Sequence, residues 1–73
     1  MSEDQLRQFF ADVQNILEIK LGRFCDRNGI YRPDFSNFMR GKKYYTSLSD
    51  LDQMRIDIMD HVGGFLKIYQ KVA

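Results

Sequence analysis

Leu6, Phe9, Phe10, Val13, Ile16 and Leu17 recur three and four positions apart, the stripe of an amphipathic helix. Ser2 is placed to cap it, and Glu3 and Asp4 in the first turn suit the positive end of the helix dipole. Ile19, Leu21, Phe24 and Cys25 nearly continue the stripe, with Gly22 the only interruption. Residues 3–28 therefore form either two helices joined tightly near Glu18–Gly22 or one long bent helix. Asn28-Gly29 closes the region with residues that tolerate a left-handed backbone at a helix end, and Ile30 follows as an apolar plug. Pro33 and Asp34 then open a short helix, where a missing N–H costs nothing and a carboxylate faces the dipole. Phe35, Phe38 and Met39 give that helix its apolar side, and Gly41 stops it.

Ser47-Leu48-Ser49-Asp50 marks the start of the next helix, with Ser47 bonding forward and Asp50 standing in for the longer Glu of a capping box. Its inner face reads Leu48, Leu51, Met54 and Ile58, then Met59 or Val62, and Gly63-Gly64 is expected to end it. A last short segment carries Phe65, Leu66, Ile68, Tyr69 and Val72. No stretch alternates with a period of two, so the chain reads as all-α, a compact domain of four or five helices spanning residues 1–73.

The 73 residues leave room for one small core, and a composition 44% hydrophobic and 14% aromatic is enough to pack it. A single cysteine excludes an internal disulfide, and one cysteine with one histidine cannot assemble a structural zinc site, so no cofactor or metal is expected. The acidic, polar start MSEDQLRQ and the lack of a long apolar run predict no membrane association and a cytoplasmic or nucleoid-associated location. The only histidine has no nucleophile near it in sequence and there is no Gly-rich phosphate loop, which argues against an enzyme.

Net charge is +1 but unevenly spread. Residues 1–19 hold one base, Arg7, against Glu3, Asp4, Asp12 and Glu18. Residues 20–43 hold seven bases, Lys20, Arg23, Arg27, Arg32, Arg40, Lys42 and Lys43, against Asp26 and Asp34. The positive charge thus concentrates on two short helices joined by a Gly turn, the arrangement a helix-turn-helix needs to lay its second helix in a DNA major groove.

Over residues 10–66 the chain resembles the Xre/Cro-like helix-turn-helix family typified by phage repressors and Cro. Cys25, Gly29 and Ile30 stand where the family has a small residue, the turn glycine and an apolar residue. Phe35, Ser36 and Phe38 match its recognition helix, Gly41-Lys42 its closing Gly-Lys, and Ser47, Leu48 and Leu51 its following helix. Phe10, Val13 and Ile19 fall at first-helix core positions. The chain departs from the pattern at Lys20 and Leu21, where the family has a polar cap and a Gln that hold a phosphate, and at Asn28, Tyr31 and Arg55.

The resemblance implies a lambda-repressor-like fold and a sequence-specific double-stranded DNA-binding transcriptional regulator with residues 32–40 as recognition helix. Entry by that helix's N-terminal end puts Arg32, Asp34 and Asn37 at base edges, although Asp34 also has a plain role at the helix dipole. Lys20, Arg23, Tyr31, Ser36, Arg40, Lys42 and Lys43 are the expected phosphate contacts. A homodimer is expected through Phe65, Ile68, Tyr69 and Val72, since one small module reads too few base pairs. The alternative is a helical protein-interaction module whose partner sits on Tyr31, Tyr44, Tyr45 and Tyr69. Tyr44 and Tyr45 beside Lys42-Lys43 either stack on bases or cover the core edge, Cys25 reads as a small buried residue, and His61 suits a helix C-terminus.

Overall fold

The computed structural model describes the backbone of residues 1–72 and the side chains of residues 1–64. It contains four helices, α1 (Glu3–Asn15), α2 (Gly22–Arg27), α3 (Arg32–Met39) and α4 (Leu48–Val72), and no strand among the described residues. Ser2 caps α1 as expected, and the cap is reciprocal: Gln5 N–H donates to Ser2 Oγ at 3.2 Å while Ser2 N–H donates to Gln5 Oε1 at 2.9 Å.

The ambiguity over residues 3–28 resolves into two helices separated by Ile16–Leu21. Glu18 takes a left-handed backbone at φ 56°, and Ile19 N–H returns to the Val13 carbonyl at 3.3 Å. A side chain at positive φ costs about 1 kcal/mol or more. In return the turn brings Leu21 into the core that Val13 already occupies. Ile16 and Leu17 leave the stripe as a result, and Ile16 is 72% exposed.

Gly29 and Gly41 end their helices as expected, and in the same way. At the end of α2, Gly29 (φ 67°) donates to Asp26 O and Ile30 N–H to Cys25 O at 2.9 Å. At the end of α3, Gly41 (φ 70°) donates to Phe38 O and Lys42 N–H to Asn37 O at 2.8 Å. Both are Schellman closures, which need a left-handed residue at that position and favour Gly there. Gly63 and Gly64 behave differently from the expectation. They remain right-handed and α4 continues through them, so the described residues hold no fifth helix. Glycine weakens a helix by about 1 kcal/mol without stopping it unless the chain also turns.

Leu6, Phe10, Cys25, Phe38, Leu51, Met54 and Ile58 form the fully enclosed centre, to which every helix contributes. Phe10 is its pivot, meeting Phe35 edge-on at 5.1 Å and Phe38 at 6.3 Å, so that α1 is pinned to α3. α4 lies across α1 and α2 through Leu51, Met54 and Ile58, with Val62 half-buried after them, whereas Leu48 and Met59 face solvent. Arg27 and Asn28 add a polar tie from the end of α2 to Asp57 of α4, at 2.9 and 3.1 Å.

Candidate nucleic-acid interface

α3 has one covered side and one open side. At about 100° per residue, Asp34, Phe35 and Phe38 are buried and Met39 half-buried, while Arg32, Pro33, Ser36, Asn37 and Arg40 occupy the opposite arc. That arc carries two arginines, an amide and a hydroxyl, and no acid.

The acid-free arc depends on where Asp34 goes. Its carboxylate turns toward the segment before α4 and accepts from Tyr45 N–H at 2.9 Å, from Thr46 N–H at 2.8 Å and from the Thr46 hydroxyl. The Thr46 hydroxyl, with the Tyr45 and Thr46 amides, holds the Asp34 carboxyl below its usual range. At 8% exposure and fully engaged, Asp34 is removed from the base-reading set: it is a clamp that fixes the Gly41–Ser47 segment to α3.

Arg32 is exposed at the start of α3, but its pose is set. Nε donates to Asp26 Oδ1 at 2.9 Å and Nη2 to Asp26 Oδ2 at 2.5 Å, a two-pronged pair that reaches back across the turn to α2. The hydrogen bond from Arg32 lowers the Asp26 pKa. Asn37 is half-buried, and its Oδ1 accepts a long bond of 3.3 Å from Arg40 Nη2.

Among the described residues, Arg7, Arg27, Arg32 and Arg55 have carboxylate partners. Those without one are Lys20, Arg23, Arg40, Lys42 and Lys43, all exposed and all between residues 20 and 43. Lys20 precedes α2 and Arg23 lies in its first turn, next to Gly22, where an added Cβ would meet the Arg32 guanidinium of α3. The same α2 flank borders a groove of about 550 Å³ between Ile19, Lys20, Arg23, Phe24, Arg27 and His61. Ser36 and Tyr31 are exposed as well, Tyr31 at 74%.

The two neighbouring tyrosines divide the roles the sequence left open. Tyr44 is half-buried and packs edge-on to Phe38 at 4.9 Å, covering the core. Tyr45 is 81% exposed, with Lys43 Nζ at 5.5 Å from its ring. Cys25 is buried, and that burial, with Asp26 beside it, pushes its thiol up to about 11, so it carries no thiolate at neutral pH. His61 stands edge-on to Phe24 at 5.6 Å. The dimer face read from Phe65, Ile68, Tyr69 and Val72 lies outside the described side chains. Among the described residues no group of three His, Cys, Asp or Glu side chains is gathered as a metal site, and no helix is long and apolar enough to cross a membrane.

Protein-family models, curated proteins and solved structures were compared with the chain, and none matches.

Two parts of the surface escaped the sequence reading. Gly22 was visible only as an interruption, yet a Cβ there would lie 2.8 Å from both Cζ and Nη1 of Arg32. Thr46, the partner of Asp34, sits twelve residues away across a loop, a separation at which no local pattern links them.

Proposed function

We propose that the chain is a sequence-specific double-stranded DNA-binding transcriptional regulator of the helix-turn-helix type, with residues 32–40 as recognition helix and a homodimer as the working form. The observation that carries this reading is the arc of α3 on which Arg32, Ser36, Asn37 and Arg40 stand exposed or half-exposed with no acid among them, followed in the chain by Lys42 and Lys43, which like Lys20 and Arg23 at the start of α2 are exposed and without a carboxylate partner. A helix with its side chains is about 10–12 Å across, which the roughly 12 Å wide major groove admits. The resemblance of Cys25, Gly29, Ile30, Phe35, Ser36 and Gly41-Lys42 to the Xre/Cro-like pattern supports the same use. Arg32 reads a base edge, with Asn37 beside it, and the surrounding cations, Ser36 and Tyr31 grip phosphates.

Binding to a generic duplex tests this. Neutralising about five phosphates weakens binding by roughly 10²–10³ between 50 and 200 mM salt. Lys42→Ala should weaken every duplex about equally and lower the salt slope by about 1, whereas Arg32→Ala should cost about 1–3 kcal/mol of discrimination at one base pair. Absence of duplex binding at low salt contradicts the proposal. A helical protein-interaction module is the second reading, favoured by exposed Tyr31, Tyr45, Ile16 and Leu17, and it predicts a partner whose affinity changes little with salt.

A further inference from the structure

The guanidinium of Arg32 is the most constrained exposed cation on the α2–α3 surface. Its side chain is 57% exposed, yet two of its five N–H groups are taken by Asp26 and the group lies across Gly22, where a Cβ would come within 2.8 Å of Cζ and Nη1 and 3.2 Å of Nε. Only glycine leaves that space. Asp26 and Arg32 are six residues apart, on different helices, so the pair forms only once the Asn28–Tyr31 turn has closed.

We propose that Gly22 and Asp26 form a seat that positions Arg32 to read one base, making both of them specificity-determining residues. The inference rests on the DNA reading above. A guanidinium bound through Nε–H and one Nη2–H still has the outer Nη2–H and the Nη1–H groups, and this remaining edge is a fork of parallel donors suited to the paired O6 and N7 acceptors of guanine. The pair with Asp26 fixes the rotamer before binding, so less side-chain freedom is lost when the base is met. Asp26 also selects: its negative charge beside the groove repels phosphate, so the arginine is held for a base edge and kept from collapsing onto the backbone. Asp26 touches no base. It acts through Arg32 and is a positioning residue.

Two substitutions break the seat by different means. Asp26→Asn removes the charge and weakens the two-pronged pair. Gly22→Ala leaves every charge in place and pushes on the far end of a flexible side chain, so Arg32 swings away while the backbone stays; Gly22 has no positive φ, and alanine is accepted there. The experiment uses the full chain and a pool of duplexes with randomised central base pairs, followed by affinities for the selected duplex and its single-base variants. Thermal unfolding of each protein and the ¹⁵N signal of the Arg32 Nε–H are recorded alongside.

The wild type is expected to prefer guanine at one position, and Arg32→Ala to erase that preference. Asp26→Asn and Gly22→Ala should each reduce it by roughly tenfold. Preferences at other positions and the unfolding temperatures should hold, and a protected Arg32 Nε–H signal present in the wild type should be lost from both variants. Full preference retained in both variants while Arg32→Ala abolishes it overturns the seat and leaves the DNA reading standing. Tighter selective binding by Asp26→Asn also overturns it, since Asp26 would then be restraining the arginine from its base. No selection by the wild type is the failure of the DNA reading itself, and the seat's role falls with it.

Discussion

Phe38→Ala is expected to lower the unfolding temperature by roughly 15 °C or more and to leave much of the chain unfolded near physiological temperature. Phe38 has no exposed surface and ties α1 and the segment after α3 to its own helix: its ring meets Phe10 of α1 and Tyr44 of that segment, and the guanidinium of Arg7, also on α1, sits 4.7 Å from its centroid. Arg7 Nε also donates to the Phe38 carbonyl at 2.8 Å, so the ring and the backbone beneath it are clasped by the same side chain. Truncating such a ring costs about 3–5 kcal/mol. A domain of this size holds roughly 4–11 kcal/mol in total. Circular dichroism melts of Phe38→Ala beside Phe9→Ala, whose ring is only half-buried, check this. Similar, small shifts for the two would mean that the aromatic cluster is not the centre of the fold.

Asp34→Ala is the second large effect, and it has a pH signature. Removing the carboxylate leaves two backbone N–H groups and the Thr46 hydroxyl without their acceptor, a loss of about 2–3 kcal/mol. Because the folded carboxyl sits below its usual pKa, the unfolded chain takes up a proton more readily than the folded one. The contribution is therefore complete above the ordinary carboxyl pKa near 4 and is lost as pH falls through the lower folded value. Urea midpoints of wild type and Asp34→Asn should differ clearly at neutral pH and converge on acidification. A gap that stays constant as pH falls would show that the charge of Asp34 plays no part in holding the segment before α4.

The features legible in the sequence are those whose cause is local. Ser2, Gly29, Pro33, Gly41 and Ser47 each act within one helical turn, and each stands at the boundary it predicts. Phe10, Phe35, Phe38, Leu51, Met54 and Ile58 follow from helical spacing alone. The break after Asn15 was open because nothing in Ile16–Leu21 is a helix breaker; the turn goes with burying Leu21 in the same core as Val13, a tertiary cause that overrides the continuing stripe. Gly63-Gly64 misled in the opposite direction, since a helix needs a reason to turn as well as permission. In the candidate site, exposure of Arg32, Ser36 and Arg40 was readable from the apolar positions around them. The fate of Asp34 and the pairing of Arg32 were not, because Thr46 and Asp26 reach them across turns, and in sequence both look like ordinary surface groups.

Whether α3 and the cations of residues 20–43 face DNA is read from the amide chemical shifts of ¹⁵N-labelled protein titrated with a selected duplex. Shifts concentrated at Arg32, Ser36, Asn37, Arg40, Lys42 and Lys43, with Lys20 and Arg23 at the margin, are the predicted result. Shifts centred on Ile16 and Leu17, or no change at low salt, would contradict it.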